Sequence, residues 1–310
     1  MDRRKNGKKA AFRRKCIQLA SALLYNANFA GFASGTIYKG DPKGVCVPGL
    51  NCYSCPGAVA ACPLGSLQNA LSAMPNKLPL YIVGILMLLG LSLGRLICGF
   101  LCPFGLIQEL LHKIPGKKIK KGQWSRKLSW LKYGVLAVFV VAIPLWYAFT
   151  SGYPLPGFCK YICPAGTLEG GIPLMALREE YRSLAGWLFT WKTGLCVAIL
   201  LLCVFCYRAF CRFLCPLGAI YSLFSRVALL AFRVDAGKCD GCGLCTRTCQ
   251  MDVAHVGDRE CIQCGLCRHT CPRGAIYFGW ERNQTHESEK TMSDSAADSH
   301  SPAGGMPERQ

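Results

Sequence analysis

Residues 95–105 read RLICGFLCPFG and residues 208–218 read RAFCRFLCPLG, one string of Arg, Cys and Cys-Pro-x-Gly written twice, 113 residues apart. Proline suits the first position of a helix, because its fixed φ matches and its missing N–H would have no partner there. The cysteine before it then stands at the cap. Free backbone amides and the positive end of the helix dipole favour a thiolate or another anion at that point. Cys-Pro-x-Gly occurs twice more, at Cys62 and Cys163, and Cys98, Cys159 and Cys211 each stand four residues before a Cys-Pro. Arg95 and Arg208 each precede their pair by three residues. The repetition predicts an internally duplicated chain.

Apolar runs surround these strings. Four of them, at about 16–38, 79–101, 129–149 and 187–207, reach the length of about 20 helical residues that a hydrocarbon core requires. The third carries Trp130 at one end and Trp146–Tyr147 at the other, and the fourth opens with Trp187 and Trp191, aromatic belts of the kind found at both interfaces. Asn26 and Asn28 sit inside the first run, and a cleaved signal sequence is its alternative reading. Residues 1–15 hold eight Lys or Arg and residues 103–129 seven, against three each in 39–78 and 150–186. Positive residues favour the cytoplasmic side, which places both termini inside a cell membrane and the two poorer loops outside. The formal net charge of +19 therefore reads as membrane topology and not as a nucleic-acid groove, since the basic residues cluster beside apolar runs.

The expected fold is an α-helical membrane protein of about four transmembrane helices, with a small C-terminal α+β module. Its segments are a basic N-terminus (1–15), spans 16–38, 79–101, 129–149 and 187–207, and outer loops 39–78 and 150–186. A basic inner loop (102–128), a Cys pair with an interfacial helix (208–232), the module (233–279) and a tail without structure (280–310) complete it.

The chain has 22 cysteines among 310 residues. A disulfide scaffold is usually short and secreted, so metal sites are the better reading. The strongest signal is Cys239-x2-Cys242-x2-Cys245-x3-Cys249, repeated as Cys261-x2-Cys264-x2-Cys267-x3-Cys271-Pro272. This is the bacterial two-cluster ferredoxin spacing, in which the fourth cysteine of each run serves the other cluster. One [4Fe-4S] cluster should use Cys239, Cys242, Cys245 and Cys271, and the second Cys261, Cys264, Cys267 and Cys249. Zinc, the alternative for paired cysteines, rarely shows two tandem runs of this spacing. The module is small and poor in apolar residues, so it should depend on its clusters to fold.

Cys98, Cys102, Cys211 and Cys215 supply four thiolates for a further cluster on the inner side, with Arg95 and Arg208 offsetting its charge or snorkelling to the interface. Cys46, Cys52, Cys55, Cys62, Cys159 and Cys163 fall outside. Four of these six would hold another cluster, with disulfides as the alternative. Cys16, Cys196, Cys203 and Cys206 read as core residues of the spans. All five histidines lie outside the spans, so haem ligation within the membrane is not expected.

Spans, paired Cys-x3-Cys-Pro at Cys98–Pro103 and Cys211–Pro216, and a double ferredoxin motif together resemble the NapH/NosR-type membrane ferredoxins over about residues 79–275. The resemblance implies a quinol dehydrogenase component or an electron conduit serving a reductase outside the cytoplasm. It also implies that Cys98, Cys102, Cys211 and Cys215 are the family's paired membrane cysteines, and that the eight from Cys239 to Cys271 hold its two [4Fe-4S] clusters. The cysteines at 46–62 and the Cys159–Cys163 pair go beyond the simple pattern and favour a route from cluster to cluster across the membrane. A soluble cytoplasmic carrier and an extracytoplasmic flavoprotein or reductase are the expected partners, with quinone as the alternative donor. A redox sensor or assembly factor is the rival of another class. No nucleophile–base arrangement or phosphate loop points to substrate chemistry beyond redox exchange.

Overall fold

The computed structural model describes residues 2–72, 79–119, 121–183 and 185–279; the tail 280–310, expected to lack structure, lies outside them. Most of the described chain is helical.

The first expected span, 16–38, is not a single helix. Helix α1 (Asp2–Tyr25) runs from the basic N-terminus to Tyr25 and stops at Asn26, whose side-chain amide donates to Ala22 O at 3.0 Å and to Asn51 Oδ1 at 2.9 Å. An Asn side chain that competes for backbone partners favours a helix end. A six-residue helix, Phe29–Ser34, follows and ends at Gly35, with φ +63°. Cys16 is exposed, and is not the core residue expected. Helix α2 (Pro63–Ser72) comes next.

The second expected span, 79–101, is also broken. Helix α3 (Leu80–Ser92) has 13 residues, a rise of about 20 Å against about 30 Å for a hydrocarbon core. Gly94 then takes φ +49° and a short helix, Leu96–Phe100, resumes. The expected inner loop 102–128 instead contains the buried helix α4 (Pro103–Leu111).

Helix α5 (Gln123–Thr150) becomes π-helical over Leu136–Ala142, and helix α6 (Ile172–Leu177) follows a π-helical turn at Gly166–Gly171. Each π segment runs into an Ile-Pro pair, at Pro144 and Pro173. Proline lacks a donor and crowds the preceding turn, and the wider π turn absorbs both effects. Helix α7 (Trp187–Phe205) and helix α8 (Pro216–Leu223) complete the bundle. Among the described residues α5, of 28 residues, and α7, of 19, are long and apolar enough to cross a membrane.

Strands β1 (Ala231–Val234) and β2 (Ile276–Gly279) pair antiparallel, with Ala231 opposite Gly279 and Val234 opposite Ile276, and so close the C-terminal module around 235–275. The module is keyed to the bundle. Glu260 is fully buried and accepts from Lys132 Nζ at 2.7 and 2.8 Å, and Arg95 Nη1 lies 3.4 Å from it. Arg212 pairs with Asp252 at 2.8 Å and Arg126 with Asp258 at 3.2 Å. Met251 and Ile262 of the module enter the same core as the helices. At Gly99 the backbones meet so closely that a Cβ would fall 2.3 Å from Ile262 O.

Candidate metal centres

Each of the four Cys-Pro-x-Gly strings starts a helix, and each aims a glycine amide at the capping sulfur. Gly166 N and Gly218 N donate to Cys163 Sγ and Cys215 Sγ at 3.3 Å, while the amides of Gly65 and Gly105 face Cys62 and Cys102 without closing such a bond. Pro63, Pro103 and Pro216 are the first residues of α2, α4 and α8. Dipole and amide together stabilise negative charge on sulfur at all four starts.

The cysteines gather in four groups. Cys239, Cys242, Cys245 and Cys271 line a cavity of 810 Å³, here group A. Cys249, Cys261, Cys264 and Cys267 line a second cavity of 220 Å³, group B. The fourth cysteine of each run thus faces the other run's three. Cys98, Cys102, Cys211 and Cys215 form group C, all buried and close enough for their charges to interact. Group D consists of Cys52, Cys62, Cys159 and Cys163, which line a cavity of 470 Å³. Among the described residues no three Cys, His, Asp or Glu side chains converge on a single ion position. The thiols surround spaces instead, and four thiols around one space is the donor set of an iron–sulfur cluster. In the module, burial pushes the Cys267 thiol up to about 12 and the Cys249 thiol up to about 11, so a metal has to displace their protons to bind.

Cys46 and Cys55 join none of these groups: Cys46 Sγ faces Ser66 Oγ at 3.5 Å, and Cys55 is buried in the turn where its carbonyl accepts from Ala58 N. Cys196, Cys203 and Cys206 are buried in or at the end of α7.

Arg95 and Arg208 are fully buried and do not snorkel. Arg208, held at φ +50°, donates to Glu109 at 2.6 and 3.0 Å and to Cys98 O at 2.5 Å. Arg95 donates to Arg259 O, while its Nε and Nη2 are buried without a hydrogen-bond partner and its charge faces Cys98 and Cys211. Unpaired buried donors of a cation are costly, and an anionic group held by Cys98 and Cys211 would answer them. Glu109 binds Arg14 from α1 bidentately at 2.7 Å and accepts from Tyr207 at 2.9 Å. Two cations and a hydroxyl around it hold its carboxyl at about 2 despite burial.

Four functional positions escaped the sequence reading, and one rule links them. The residue six after each Cys-Pro cysteine is Gln68, Gln108, Glu169 or Tyr221. Gln68 Nε2 donates to Cys159 Sγ at 3.2 Å, and its Oε1 accepts from Phe158 N at 2.9 Å. Gln108 repeats the pattern, with Nε2 to Cys211 Sγ at 2.9 Å and Cys211 N to Oε1 at 3.3 Å. Glu169 accepts from Cys52 N at 2.8 Å, and Tyr221 donates to Pro48 O at 2.8 Å. A polar residue recurring at that spacing is the signal.

Groups C and D do not stand at the two ends of the bundle, as the loop assignment implied. Consecutive backbone amides serve them: Leu50 N–H faces Cys102, and Asn51 N–H faces Cys62. Those two sulfurs therefore lie within about 12 Å of each other. Along α7, Cys196 contacts Pro164 O next to group D, and Cys203 contacts Gln108 next to group C. Seven residues of helix rise about 10 Å. Group D, built from the segments expected as outer loops, thus stands beside the middle of α7. Group B touches group C across Gly99 and Ile262, next to Cys98 and Cys261. The order in space is A, B, C, D.

The family described as "4Fe-4S binding domain" matches residues 77–122, 133–172 and 187–235. An uncharacterized protein of Methanocaldococcus jannaschii is 30% identical over 177 residues, 54% of this chain and 56% of its own length. The methylamine utilization ferredoxin-type protein MauN of Paracoccus denitrificans is 29% identical, covering 59% of this chain and 58% of MauN. The regulatory protein NosR of Pseudomonas aeruginosa is 28% identical, over 52% of this chain and 21% of NosR. The chain thus spans little more than half the length of the first of these relatives. No solved structure matches. With thiols in fours and a 4Fe-4S binding domain, the chain is similar to the ferredoxin-type proteins NosR, MauN and NapH.

Proposed function

We propose that the chain carries single electrons through a membrane, between a soluble carrier met by the C-terminal module and a flavoprotein or reductase met at the far side. The observation that carries this reading is the serial order of the four thiol groups, with backbone contact between B and C and between C and D. Bound at such groups, [4Fe-4S] clusters supply reversible one-electron exchange.

The chain's own residues do the rest. Helices α5 and α7 cross the bilayer, and the Lys and Arg of 1–15 and 103–129 hold the module's end in the cytoplasm. Irregular backbone at membrane depth is tolerated only inside protein, and Leu50, Asn51 and Ala58 of the segment 46–62 are buried. Arg95 and Arg208 set positive charge beside Cys98, Cys102 and Cys211. The salt bridges of Glu260, Asp252 and Asp258 fix the module so that group B stays against group C.

Anaerobically purified protein in liposomes, with an oxidised acceptor trapped inside and a reduced carrier outside, tests the proposal. Acceptor reduction is expected for the wild type and not for the Cys102→Ser/Cys215→Ser variant. Iron-loaded protein that passes no electrons to the acceptor overturns it. Should a quinol analogue reduce the centres in such inactive material, quinol oxidation replaces transmembrane transfer as the reading.

A further inference from the structure

Group D is a built metal site, and its four thiols are selected from six candidates by the fold. The cavity they line is also walled by Gly65, Gly166 and Gly170. A Cβ on Gly170 would stand 3.3 Å from Cys52 Sγ, one on Gly166 3.7 Å from Cys52 Sγ and Cys163 Sγ, and one on Gly65 3.9 Å from Cys159 Sγ. Side chains there would fill the space between the sulfurs.

Each sulfur has a hydrogen-bond donor aimed at it. Cys163 receives Gly166 N–H at 3.3 Å and Cys159 the Gln68 amide at 3.2 Å, while the amides of Gly65, Leu64 and Asn51 face Cys62 and that of Ser54 faces Cys52. Converging donors suit a metal-bound thiolate sulfur, which accepts strongly, better than a disulfide sulfur, which accepts weakly. Two cations line the same cavity, Lys43 with Nζ on Ala58 O at 2.7 Å and Lys192 with Nζ on Cys159 O at 3.1 Å. Group C, the counterpart by the repeated string, has the same parts: two capping cysteines, two cysteines four residues earlier, and a glutamine amide on one of those. In group D, Cys52 takes the place of the missing partner of Cys62.

We propose, resting on the electron-transfer reading above, that Cys52, Cys62, Cys159 and Cys163 bind a fourth [4Fe-4S] cluster near the middle of the bundle, with Cys46 and Cys55 left free and the Gln68 amide tuning the cluster through Cys159. Hydrogen bonds to ligand sulfur favour the more negative, reduced state and so raise a cluster's potential.

Iron and acid-labile sulfide per chain, together with redox-titrated EPR, test this on anaerobically purified full-length protein. Cys62→Ser and Cys163→Ser are each expected to remove one cluster, about four irons, and to leave the ferredoxin-module signals in place. Cys46→Ser and Cys55→Ser are expected to keep the full iron content. Gln68→Leu retains every thiol, and is expected to move the midpoint of one signal to more negative potential, a different signal from the one that Gln108→Leu moves. Unchanged iron in the Cys62 and Cys163 variants, iron lost with Cys46 or Cys55, or no signal shifted by Gln68→Leu overturns the proposal. So does Gln68→Leu shifting all signals together. Loss of group D alone, with iron retained by the other groups, leaves the electron-transfer reading standing. Protein without iron in any group refutes both.

Discussion

The side chains that matter most at the residue scale are buried ions. Glu109 neutralises Arg14 and Arg208 at once, and removing one partner of a buried pair typically costs about 3–5 kcal/mol, because the other charge is left without compensation. Glu109→Gln is expected to lower stability by that order, measured as a fall in thermal midpoint. The carboxyl of Glu109 is held at about 2, below its ordinary 4.5. A depressed folded-state value means that its contribution is complete above about pH 4.5 and fades as pH falls toward 2. Acid titration of the wild type should therefore show a loss of stability across that window that the Gln variant lacks. Arg95 and Arg208 were legible in the sequence as charges beside cysteines, whereas Glu109 and Glu260 were not. Their partners come from distant parts of the chain, Arg14 on α1 and Lys132 on α5, and no local spacing announces such pairs.

At the element scale, the Cys-Pro-x-Gly strings behave as sequence alone suggests, each capping a helix with a thiol. The first two apolar runs are broken into helices shorter than their hydropathy implied. Apolar composition reports that a segment is buried, and it does not say whether burial is against lipid or against other protein. Asn26 and Gly94 interrupt two runs that are otherwise apolar, and Asn26 meets the segment 46–62 through Asn51. Gly99 is where the module meets the bundle. Gly99→Val would drive a side chain into Ile262 O, so the module has to shift. The variant should keep its iron but pass electrons from module to bundle more slowly, as stopped-flow reduction would show. Normal transfer rates in that variant would mean that the contact is not the junction.

For the molecule as a whole, the module and the bundle depend on metal to different degrees. The module's sheet has two short strands, and residues 235–275 hold few buried apolar side chains beyond Met251, Ile262 and Ala275. Chelation of iron is expected to raise amide exchange across 235–275 while α7 stays protected, because a small metal domain draws its folding energy from the metal. Equal protection with and without iron would show that the salt bridges to Arg95, Lys132 and Arg212 suffice. The same view places the four thiol groups in one file from module to bundle, with C and D as neighbours.

Sequence by itself determined the cysteine chemistry, since thiol spacing and helix-cap proline are local properties that a few residues carry. It also determined two of the four expected apolar spans and the resemblance to ferredoxin-type proteins. Only the tertiary structure decided which of the six remaining cysteines meet, because Cys52 joins Cys163 across more than a hundred residues and Cys55, three positions away, does not. It alone decided the depth of group D as well, for depth depends on where half-length helices end against one another.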